Sequence, residues 1–213
     1  LDPVDASDPV HFSVNLNIGK PISAEPLAGN AKAVRLFFSK KFLDGKTHVL
    51  TTTGLTDEIG NASISETAPF YFLKISPPAL FDILINEIMA DPSPSAGLPE
   101  FEWIELLNRS AKNIDLQQVT FSAGGAPVGF SKYILRPDSL VWVGNDAAGA
   151  AFFLIKNKIS VPSFPSISNS ADELTLADVD GETIDFVPFD LSFYKNDAKK
   201  DGGWSLERIN PNR

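Results

Sequence analysis

The sequence contains no cysteine and only two histidines, and both shortages limit the chemistry it can perform. Without cysteine there is no thiol nucleophile, disulfide or cysteine-ligated zinc, although the redox compartment stays open because a domain of this size can fold on its core alone. His11 and His48 are the only imidazoles, and a lone strand histidine is seldom catalytic. We find no GxSxG elbow, HExxH pair, phosphate loop or dinucleotide fingerprint. The sequence therefore predicts no catalytic residues, no cofactor, no metal and no enzymatic activity.

Positive charge is also scarce, with 18 lysines and arginines against 27 aspartates and glutamates, a net charge of −9. The basic pairs Lys40–Lys41 and Lys199–Lys200 are isolated, so no patch offsets the repulsion of phosphate backbones or anionic lipid. No apolar run approaches the about 20 residues that cross a bilayer, and no charged-then-apolar leader opens the chain. We expect a soluble fragment that does not bind nucleic acid. Both ends resemble cuts, so export or anchoring signals can lie outside it.

What the sequence does contain favours an all-β protein. Of its 213 residues 43% are hydrophobic, and 16 prolines and 14 glycines are spread throughout. Such a composition is typical of many short strands joined by turns, and the length suits two domains that each bury a core. No segment keeps a helical period for three turns. The predicted fold class is all-β, with two tandem Ig-like β-sandwich domains.

Period-two runs mark the first domain, residues 1–76. Residues 10–17 alternate, and their apolar face is predicted to carry Val10, Phe12, Val14 and Leu16. Further strands are predicted at residues 33–39, 47–53 and 67–73. The Asp44–Gly45 pair between the second and third runs predicts a hairpin turn that joins them.

This succession is similar to bacterial Ig-like modules of the copper-resistance and S-layer type. The resemblance is carried by a Thr-rich strand, the GLTDEIGN run at residues 54–61 and a closing Phe-rich strand, and it covers about residues 1–74. The chain departs from the pattern at its start, where such modules have one more strand. Within GLTDEIGN, Asp57 and Asn61 are read first as a turn and only second as a weak cation site. Residues 74–80 contain Ser76-Pro77-Pro78 and are predicted to be a short, stiff linker.

The second domain, residues 81–213, opens with two apolar runs, 83–89 and 101–107, separated by a Pro- and Ser-rich break that suits a loop. Later strands are predicted at intervals of roughly ten residues, the spacing of a sandwich. They are residues 114–121, 133–144, 150–156, 173–177 and 183–187.

Five blocks of this domain resemble, in order, the lamin tail domain, an Ig-like sandwich of nuclear lamins that also occurs in secreted bacterial proteins. They are INEIMADP (85–92), EWIELLNRS (102–110), IDL (114–116), ISNSADELTLADVDGETIDFV (167–187) and GGWSLERINP (202–211). The resemblance implies a noncatalytic structural or interaction module of a larger secreted or cell-surface bacterial protein. Because such domains often accompany nucleases or other hydrolases, it also implies an alternative role as accessory to such an enzyme.

The acidic residues of the opening hairpin are candidates for a cation site, because carboxylates alone can bind Ca²⁺ or Mg²⁺. They are Glu87, Asp91, Glu100, Glu102 and Glu105. On an extended strand Glu102 and Glu105 point to opposite faces, so we favour structural roles, with Glu105 partly buried and satisfied by backbone amides or by Arg208. The Asp178–Gly181 run, with Asp185 beyond it, is interpreted as a hairpin turn rather than a calcium loop.

Two aromatic features remain as candidate binding surfaces. Trp103, Trp142 and Trp204 lie in alternating strands and are predicted to be core, with sugar stacking as the alternative. The loop 189–203 is long, and long loops on a rigid sandwich are where recognition usually resides. Within it we predict binding through Phe193, Tyr194 and Lys195. The expected partner is another domain or protein, and the alternative is a polysaccharide bound by a carbohydrate-binding module.

Overall fold

The chain divides into two compact units in its computed structural model, which describes residues 2–211. The first unit is Leu1–Lys74 and the second is Ile75–Arg213. Both are built mainly of strands, as the all-β prediction requires. The longest helix in the described chain has only six residues, and no helix found there is long and apolar enough to cross a bilayer.

The first unit contains one short helix and five strands in two small sheets. They are α1 (Pro3–Ser7), β1 (Phe12–Val14), β2 (Ser23–Leu27), β3 (Asn30–Phe37), β4 (Lys46–Thr52) and β5 (Glu66–Phe72). One sheet has the order β1-β4-β5 and the other pairs β2 with β3, all antiparallel. Phe12, Ala24 and Leu55 form its buried cluster.

The predicted strand at residues 10–17 is wrong at both ends. Pro9–His11 form a 3-10 turn instead, which the Asp8 side chain caps by accepting from Val10 N. At the other end Leu16 and Asn17 have positive φ and reverse the chain. Only Phe12 and Val14 of the predicted apolar face are buried, because proline and the Asn-containing turn confine the strand to three residues.

The hairpin predicted through Asp44–Gly45 is also wrong. Gly45 does adopt a positive φ in a turn, but the strand before it, β3, pairs with β2 in the other sheet. The turn leads instead into β4, whose partners are β1 and β5. Turn chemistry identified the reversal of the chain but not the strand on its other side.

The second unit is a sandwich of a five-stranded and a four-stranded sheet with a small two-stranded one. Its elements are β6 (Ile83–Met89), β7 (Trp103–Asn108), β8 (Ile114–Asp115), β9 (Val119–Ala123), β10 (Val128–Gly129), β11 (Ile134–Leu135), β12 (Leu140–Gly144), α2 (Asp146–Ala151), β13 (Lys158–Ser160), β14 (Ala171–Asp178), β15 (Thr183–Asp190) and β16 (Leu206–Glu207). The sheet orders are β13-β12-β7-β6-β16, β10-β9-β14-β15 and β11-β8. The β12–β13 pair is parallel and the others are antiparallel.

The core of this unit is continuous and draws apolar side chains from both larger sheets. Phe121, Ile104 and Leu174 are among the residues with no exposed surface. Asn108 is also fully buried, and its amide donates to the carbonyls of Lys112 and Leu135 while its Oδ1 accepts from Ser110. The amide therefore joins three parts of the chain and leaves no polar atom of its own unsatisfied.

Three strand predictions in this unit are wrong for local reasons. Residues 114–121 are divided into β8 and β9 by the 3-10 turn Leu116–Gln118. Residues 133–144 are divided into β11 and β12 by a turn in which Asp138 has a positive φ just after Pro137. Residues 150–156 are not a strand, since α2 ends at Ala151 and loop follows. The Asn145 side chain caps α2 by accepting from Ala148 N, and small residues then suit a helix better than a strand.

Candidate functional site

A cavity of the second unit lies between β15 and β16, the edge strands of its two larger sheets, and we call it the edge groove. Its volume is about 730 Å³. β15 is the last strand of the four-stranded sheet and β16 the last of the five-stranded one, so in the described chain no further strand closes the sandwich on this side. The groove is lined by Ile85, Asn86, Ile88, Phe186, Val187, Pro188, Phe189, Phe193, Lys195, Leu206, Glu207, Arg208, Ile209 and Asn210.

A buried ion pair supports the groove from below. β6 carries a bulge at Asn86, where its pairing with β7 shifts register, and a bulge leaves backbone groups without ladder partners. The Asp185 carboxylate accepts from Ile85 N at 2.8 Å and from Arg208 Nη2 at 2.9 Å. Arg208 Nε in turn donates to Ile85 O. The pair therefore satisfies the bulge and links β15 to the segment that contains β16.

The rim of the groove is apolar and accessible. The exposed fractions are 46% for Phe186, 49% for Phe193 and complete for Ile209. Single exposed apolar residues are ordinary on a protein surface, but a contiguous set around a groove is typical of an interaction site. Lys195 supplies a cation at this rim, and its Nζ donates to Ser192 O at 3.1 Å.

The structure separates the three residues for which binding was predicted. Phe193 and Lys195 both line the edge groove, and their role in binding stays a prediction. Tyr194 is only 7% exposed, and its hydroxyl donates to Trp204 O at 2.8 Å. Burial, and then the charge of Asp91, raises the pKa of the Tyr194 phenol. The Tyr194 side chain thus packs inward and positions the loop. The 3-10 turn Leu191–Phe193, which the Asp190 side chain caps, precedes Tyr194 and turns its neighbours Phe193 and Lys195 outward.

The predicted core position of Trp204 is wrong. The side chain is 43% exposed, and Lys199 Nζ lies 4.3 Å from the ring centroid, a cation–π contact. Gly202 and Gly203, which precede it, have positive φ, and a Cβ on either would overlap backbone atoms of Ser93 or Pro94. These glycines let the loop pass close to the opening hairpin and bring Trp204 outward.

Trp103 and Trp142 are buried, as predicted, but on the outer face of the five-stranded sheet rather than in the main core. Their rings are inclined at 40° to each other with centroids 6.4 Å apart. Coplanar, exposed rings would have favoured sugar stacking, and this pair is neither. Trp103 and Trp142 therefore offer no flat indole platform.

The predicted partner of Glu105 is wrong. Arg208 pairs with Asp185, and Glu105 Oε1 instead accepts from Asn86 Nδ2 at 3.0 Å. The bulge explains this, since the extra residue in β6 presents a side-chain amide to Glu105, whereas backbone amides or Arg208 were expected from the sequence. Glu102, on the other face, accepts from Ser166 Oγ and Ile167 N. Burial raises the pKa of the Glu102 carboxyl, these hydrogen bonds oppose it, and the charges of Asp172 and Asp91 raise it further.

The other sites considered for a cation are turns. The Asp178 carboxylate accepts from Asp180 N and Glu182 N in the hairpin that joins β14 to β15, as predicted. Asp57 accepts from Ile59 N, Asn61 N and Asn61 Nδ2. Over the described residues no three histidine, aspartate or glutamate side chains are grouped so that they could hold a metal ion.

The two histidines have structural partners. His11 Nδ1 lies 2.8 Å from Thr53 O, and its Nε2 is 3.8 Å from Asp5. His48 is fully buried, where its Nε2 accepts from Leu43 N and its ring stacks on Phe70. The aromatic cluster that contains His48 and Phe70 was not predicted from the sequence, although the spacing of the phenylalanines on β5 indicates that their rings share a face.

A profile of the Lamin Tail Domain family matches residues 76–190, which is more than half of the chain. The chain belongs to the lamin tail domain family. No curated protein matches it. Domains of this family have an Ig-like fold and are generally structural or interaction domains rather than catalytic ones, which agrees with the sandwich described above. The matched residues include β15, whereas Phe193, Lys195 and the other rim residues up to Asn210 follow them.

Proposed function

We propose that the chain is a noncatalytic interaction and spacer module of a larger secreted or cell-surface bacterial protein, and that a partner protein binds in its edge groove. The observation that carries the proposal is the contiguous apolar rim of Phe186, Phe193 and Ile209 around a cavity of about 730 Å³. A rigid sandwich beneath a long loop is a common arrangement for recognition. The first unit, through its resemblance to bacterial Ig-like modules, is proposed to act as the spacer.

The lining of the groove favours an extended segment with large apolar side chains and an acidic residue beside them. The apolar rim offers places for such side chains, and Lys195 offers a cation at one end. Arg208 is already neutralised by Asp185, so it contributes its stem rather than its charge. Extended segments bind at sheet edges with alternate side chains in pockets, and β15 and β16 are both edge strands.

The test is selection of peptides from a random displayed library against the full chain. We expect enriched sequences to share an apolar residue near a carboxylate and to lose binding to the Phe193→Ser variant by about 10-fold or more, the loss typical of an exposed aromatic anchor. Phe153→Ser is the matched control, because Phe153 is 75% exposed but lies outside the groove. Peptides that bind Phe193→Ser as well as they bind the native chain would refute the groove as the site.

Location is tested separately with the full-length gene product in its own cell. Protease added to intact bacteria should cleave a secreted or surface-held protein and spare one inside the cell. Protection of the full-length protein would contradict the proposed location without affecting the groove. A catalytic domain in the same polypeptide would favour the accessory role.

A further inference from the structure

Along one side of the edge groove, β15 presents backbone groups that no strand of the described chain pairs with. β14 is hydrogen-bonded to one side of β15, and on its other side β15 is the last strand of its sheet. Backbone N–H and C=O groups on the open side of an edge strand form a template on which another strand can pair. The register of the sheet determines which residues of β15 direct these groups outward.

A hydrogen bond just beyond the ladder fixes the direction of the β15 backbone. Leu191 N donates to Ser170 O at 3.0 Å, and the next pair along the register is Ala171 with Asp190. In an antiparallel ladder, hydrogen-bonded pairs alternate with pairs whose backbone groups point away from each other. Every second residue of β15, counted from Asp190, therefore directs its backbone groups away from β14. These residues are Asp190, Pro188 and Phe186.

The other side of β14 gives the same direction independently. Gly124 N donates to Glu173 O at 3.2 Å, so the backbone of Glu173 points toward β9 and not toward its β15 partner, Pro188. Proline has no N–H, and sheets accept it on an edge strand where its nitrogen faces outward. The open edge of β15 therefore carries the N–H groups of Phe186 and Asp190 and the carbonyls of all three outward-facing residues.

This open edge is short and ends at a defined point on each side. Phe81 N donates to Ile184 O at 2.6 Å, which occupies the edge just before Phe186. Beyond Asp190 the strand ends in the 3-10 turn Leu191–Phe193. Residues 186–190 remain between these points, roughly 16 Å at about 3.3 Å per residue. That length matches an ordinary β-strand.

The cavity of the groove follows this edge rather than one face of β15. Consecutive residues of the strand line it, from Phe186 to Phe189. Val187 and Phe189 pack against the main core, whereas Phe186 and Pro188 are exposed. Because side chains alternate between the faces of a strand, a cavity that contacts both sets must run past the edge. An added strand has the same alternation and would place side chains toward both faces.

The other strand beside the groove, β16, offers a poorer edge. It consists of Leu206 and Glu207 alone. Arg208 N donates to Asn86 O at 2.8 Å, and the neighbouring pair is Glu207 with Glu87. By the same alternation, Glu207 is the residue of β16 that directs its backbone outward. One such residue cannot support the ladder of a second strand, so β15 is the edge that suits addition.

We propose that the partner of the edge groove binds as an added β-strand on β15, an inference that rests on the proposed function. Its backbone pairs with Phe186 and accepts and donates along residues 186–190, while its alternate side chains contact the apolar rim. Lys195 lines the same groove and forms none of the ion pairs found within residues 2–211. An acidic residue of the partner lies beside this lysine.

Pro188 makes the edge selective. It offers a carbonyl but no N–H, so one carbonyl of any added strand stays unpaired opposite it. Proline on an edge in this way discourages indiscriminate pairing between sheets. A strand that binds here must offset the missing hydrogen bond with side-chain contacts to rim residues such as Phe186 and Phe193.

The test is amide hydrogen exchange of the full chain, measured residue by residue by nuclear magnetic resonance, with the apolar and acidic peptide selected against it as the probe. At saturating peptide we expect exchange at Phe186 N–H to slow by about 10-fold or more, because a hydrogen-bonded amide exchanges only when the bond opens. Val187, already bonded to β14, is the internal reference. Slowing at Glu207 instead of Phe186, or at neither, would overturn the assignment to β15.

Replacing the peptide's amides by esters, one at a time, tests the ladder from the partner's side. Each ester removes one N–H and keeps the side chain. We expect affinity to fall by about 3- to 10-fold at every second position within the bound segment and to stay unchanged at the positions between. If no ester weakens binding, the partner is held by side chains alone and strand addition is wrong.

A valine in place of Pro188 tests the edge itself. Pro188→Val adds an outward N–H and keeps an apolar side chain, so peptide binding should tighten by about 2- to 10-fold. Pro69→Val is the matched control on β5, the edge strand of the first unit. Val49, the partner of Pro69, has its carbonyl bonded to Asn15 N, so Pro69 also faces outward but lies outside the groove. Equal affinities of the native chain and Pro188→Val would contradict the proposal.

Failure of the proposed function gives a different result. If no peptide is enriched, or if Phe193→Ser does not weaken the enriched peptides, the groove is not the binding site and strand addition is refuted with it. If Phe193→Ser weakens binding but exchange at Phe186 stays unchanged, the groove is occupied without an added strand. The second result would overturn the present inference and leave the proposed function in place.

Discussion

The two units differ in what holds them together. The second buries a continuous set of apolar side chains from both large sheets, with Phe121, Ile104 and Leu174 completely enclosed. In the first unit the buried cluster consists of Phe12, Ala24 and Leu55, although the unit has as many residues as some independent domains. Apolar burial is the dominant favourable contribution to folding, so the first unit must depend more on its other interactions.

Those other interactions include the stacking of His48 on Phe70 and a set of polar side-chain hydrogen bonds. Asp2 caps α1 by accepting from Val4 N and Asp5 N, and the Asp5 carboxylate accepts from both N and Oγ1 of Thr56. Asp57 closes its own loop with three hydrogen bonds. Each such hydrogen bond contributes little net stability. A buried donor left without a partner, however, costs more free energy than the hydrogen bond contributes. In a small unit, hydrogen bonds from side chains can thus supply part of the stability that a larger unit gains from its apolar core.

The two units can be followed separately, because Trp103, Trp142 and Trp204 all belong to the second. Tryptophan fluorescence therefore reports unfolding of the second unit, and far-ultraviolet circular dichroism reports both. In equilibrium urea unfolding, the two signals therefore distinguish a change in one unit from a change in the other.

The largest expected effect is from removing a core ring in each unit. Phe121→Ala should lower the free energy of unfolding of the second unit by about 3–5 kcal/mol, because the fully buried ring stacks on Phe164 and leaves a cavity. Phe12→Ala should lower that of the first unit by less, since its small cluster collapses more easily. If Phe12→Ala lowered the free energy of unfolding by as much as Phe121→Ala or more, the proposed difference between the two cores would be wrong.

The next effect concerns the buried ion pair. Asp185→Asn should cost the second unit about 2–3 kcal/mol, because it leaves the partly buried Arg208 without its counter-ion. Asp197→Asn is the matched control, since its ion pair with Lys200 is exposed and should give no measurable change. If Asp185→Asn unfolds at the same urea concentration as the native chain, the bulge of β6 does not depend on the charge of Asp185.

A smaller effect of opposite sign is expected at Glu87. Glu87→Gln should stabilise the second unit at neutral pH by up to about 1 kcal/mol, because it removes a charge that burial disfavours and that Glu105 and Glu207 repel, an effect that solvent partly screens. The pKa of Glu87 is raised by folding, so the cost of its charge is absent below the unfolded pKa and grows as pH rises through the folded pKa. The gain should therefore vanish in acid. A gain that persists there would refute the charge of Glu87 as its cause.

The smallest effect tests the polar interactions of the first unit. The hydrogen bond from the Thr56 side chain lowers the pKa of Asp5, and burial opposes this. Stability from Asp5 is then present above its unfolded pKa and is lost as pH falls through the folded pKa. Asp5→Asn should lower the dichroism transition of the first unit slightly at neutral pH and leave it unchanged in acid, with tryptophan fluorescence unaffected. A shift in fluorescence would contradict separate unfolding.

Sequence patterns predicted the long strands better than the short ones. Residues 83–89 match β6 at both ends, and the Asp178–Gly181 turn joins β14 to β15 as expected. By contrast β13 and β16, three and two residues long, give no periodic signal and were missed. α2 was not predicted, because six residues are too few to establish a helical period, and its last two residues were assigned to a strand at 150–156.

The candidate surfaces were predicted only in part. Loop length drew attention to Phe193 and Lys195, and both line the edge groove. Their neighbour Tyr194 has the same local pattern but faces inward, because its hydroxyl finds Trp204 O ten residues later. The sequence also brought attention to Glu87 and Glu105, but their alignment with Glu207 depends on the pairing of β16 with β6, at more than 100 residues' separation in the chain.

By itself the sequence determined the all-β class and the family to which the chain belongs, because strand periodicity, turn residues and family motifs are properties of neighbouring residues. Tertiary structure alone decided that Arg208 pairs with Asp185 rather than Glu105, that Trp204 is exposed, and that the edge groove lies beside β15 and β16. These outcomes depend on a one-residue bulge in β6 and on which strands meet. A bulge reverses which side chains face which partner, and the sequence contains no local signal for it.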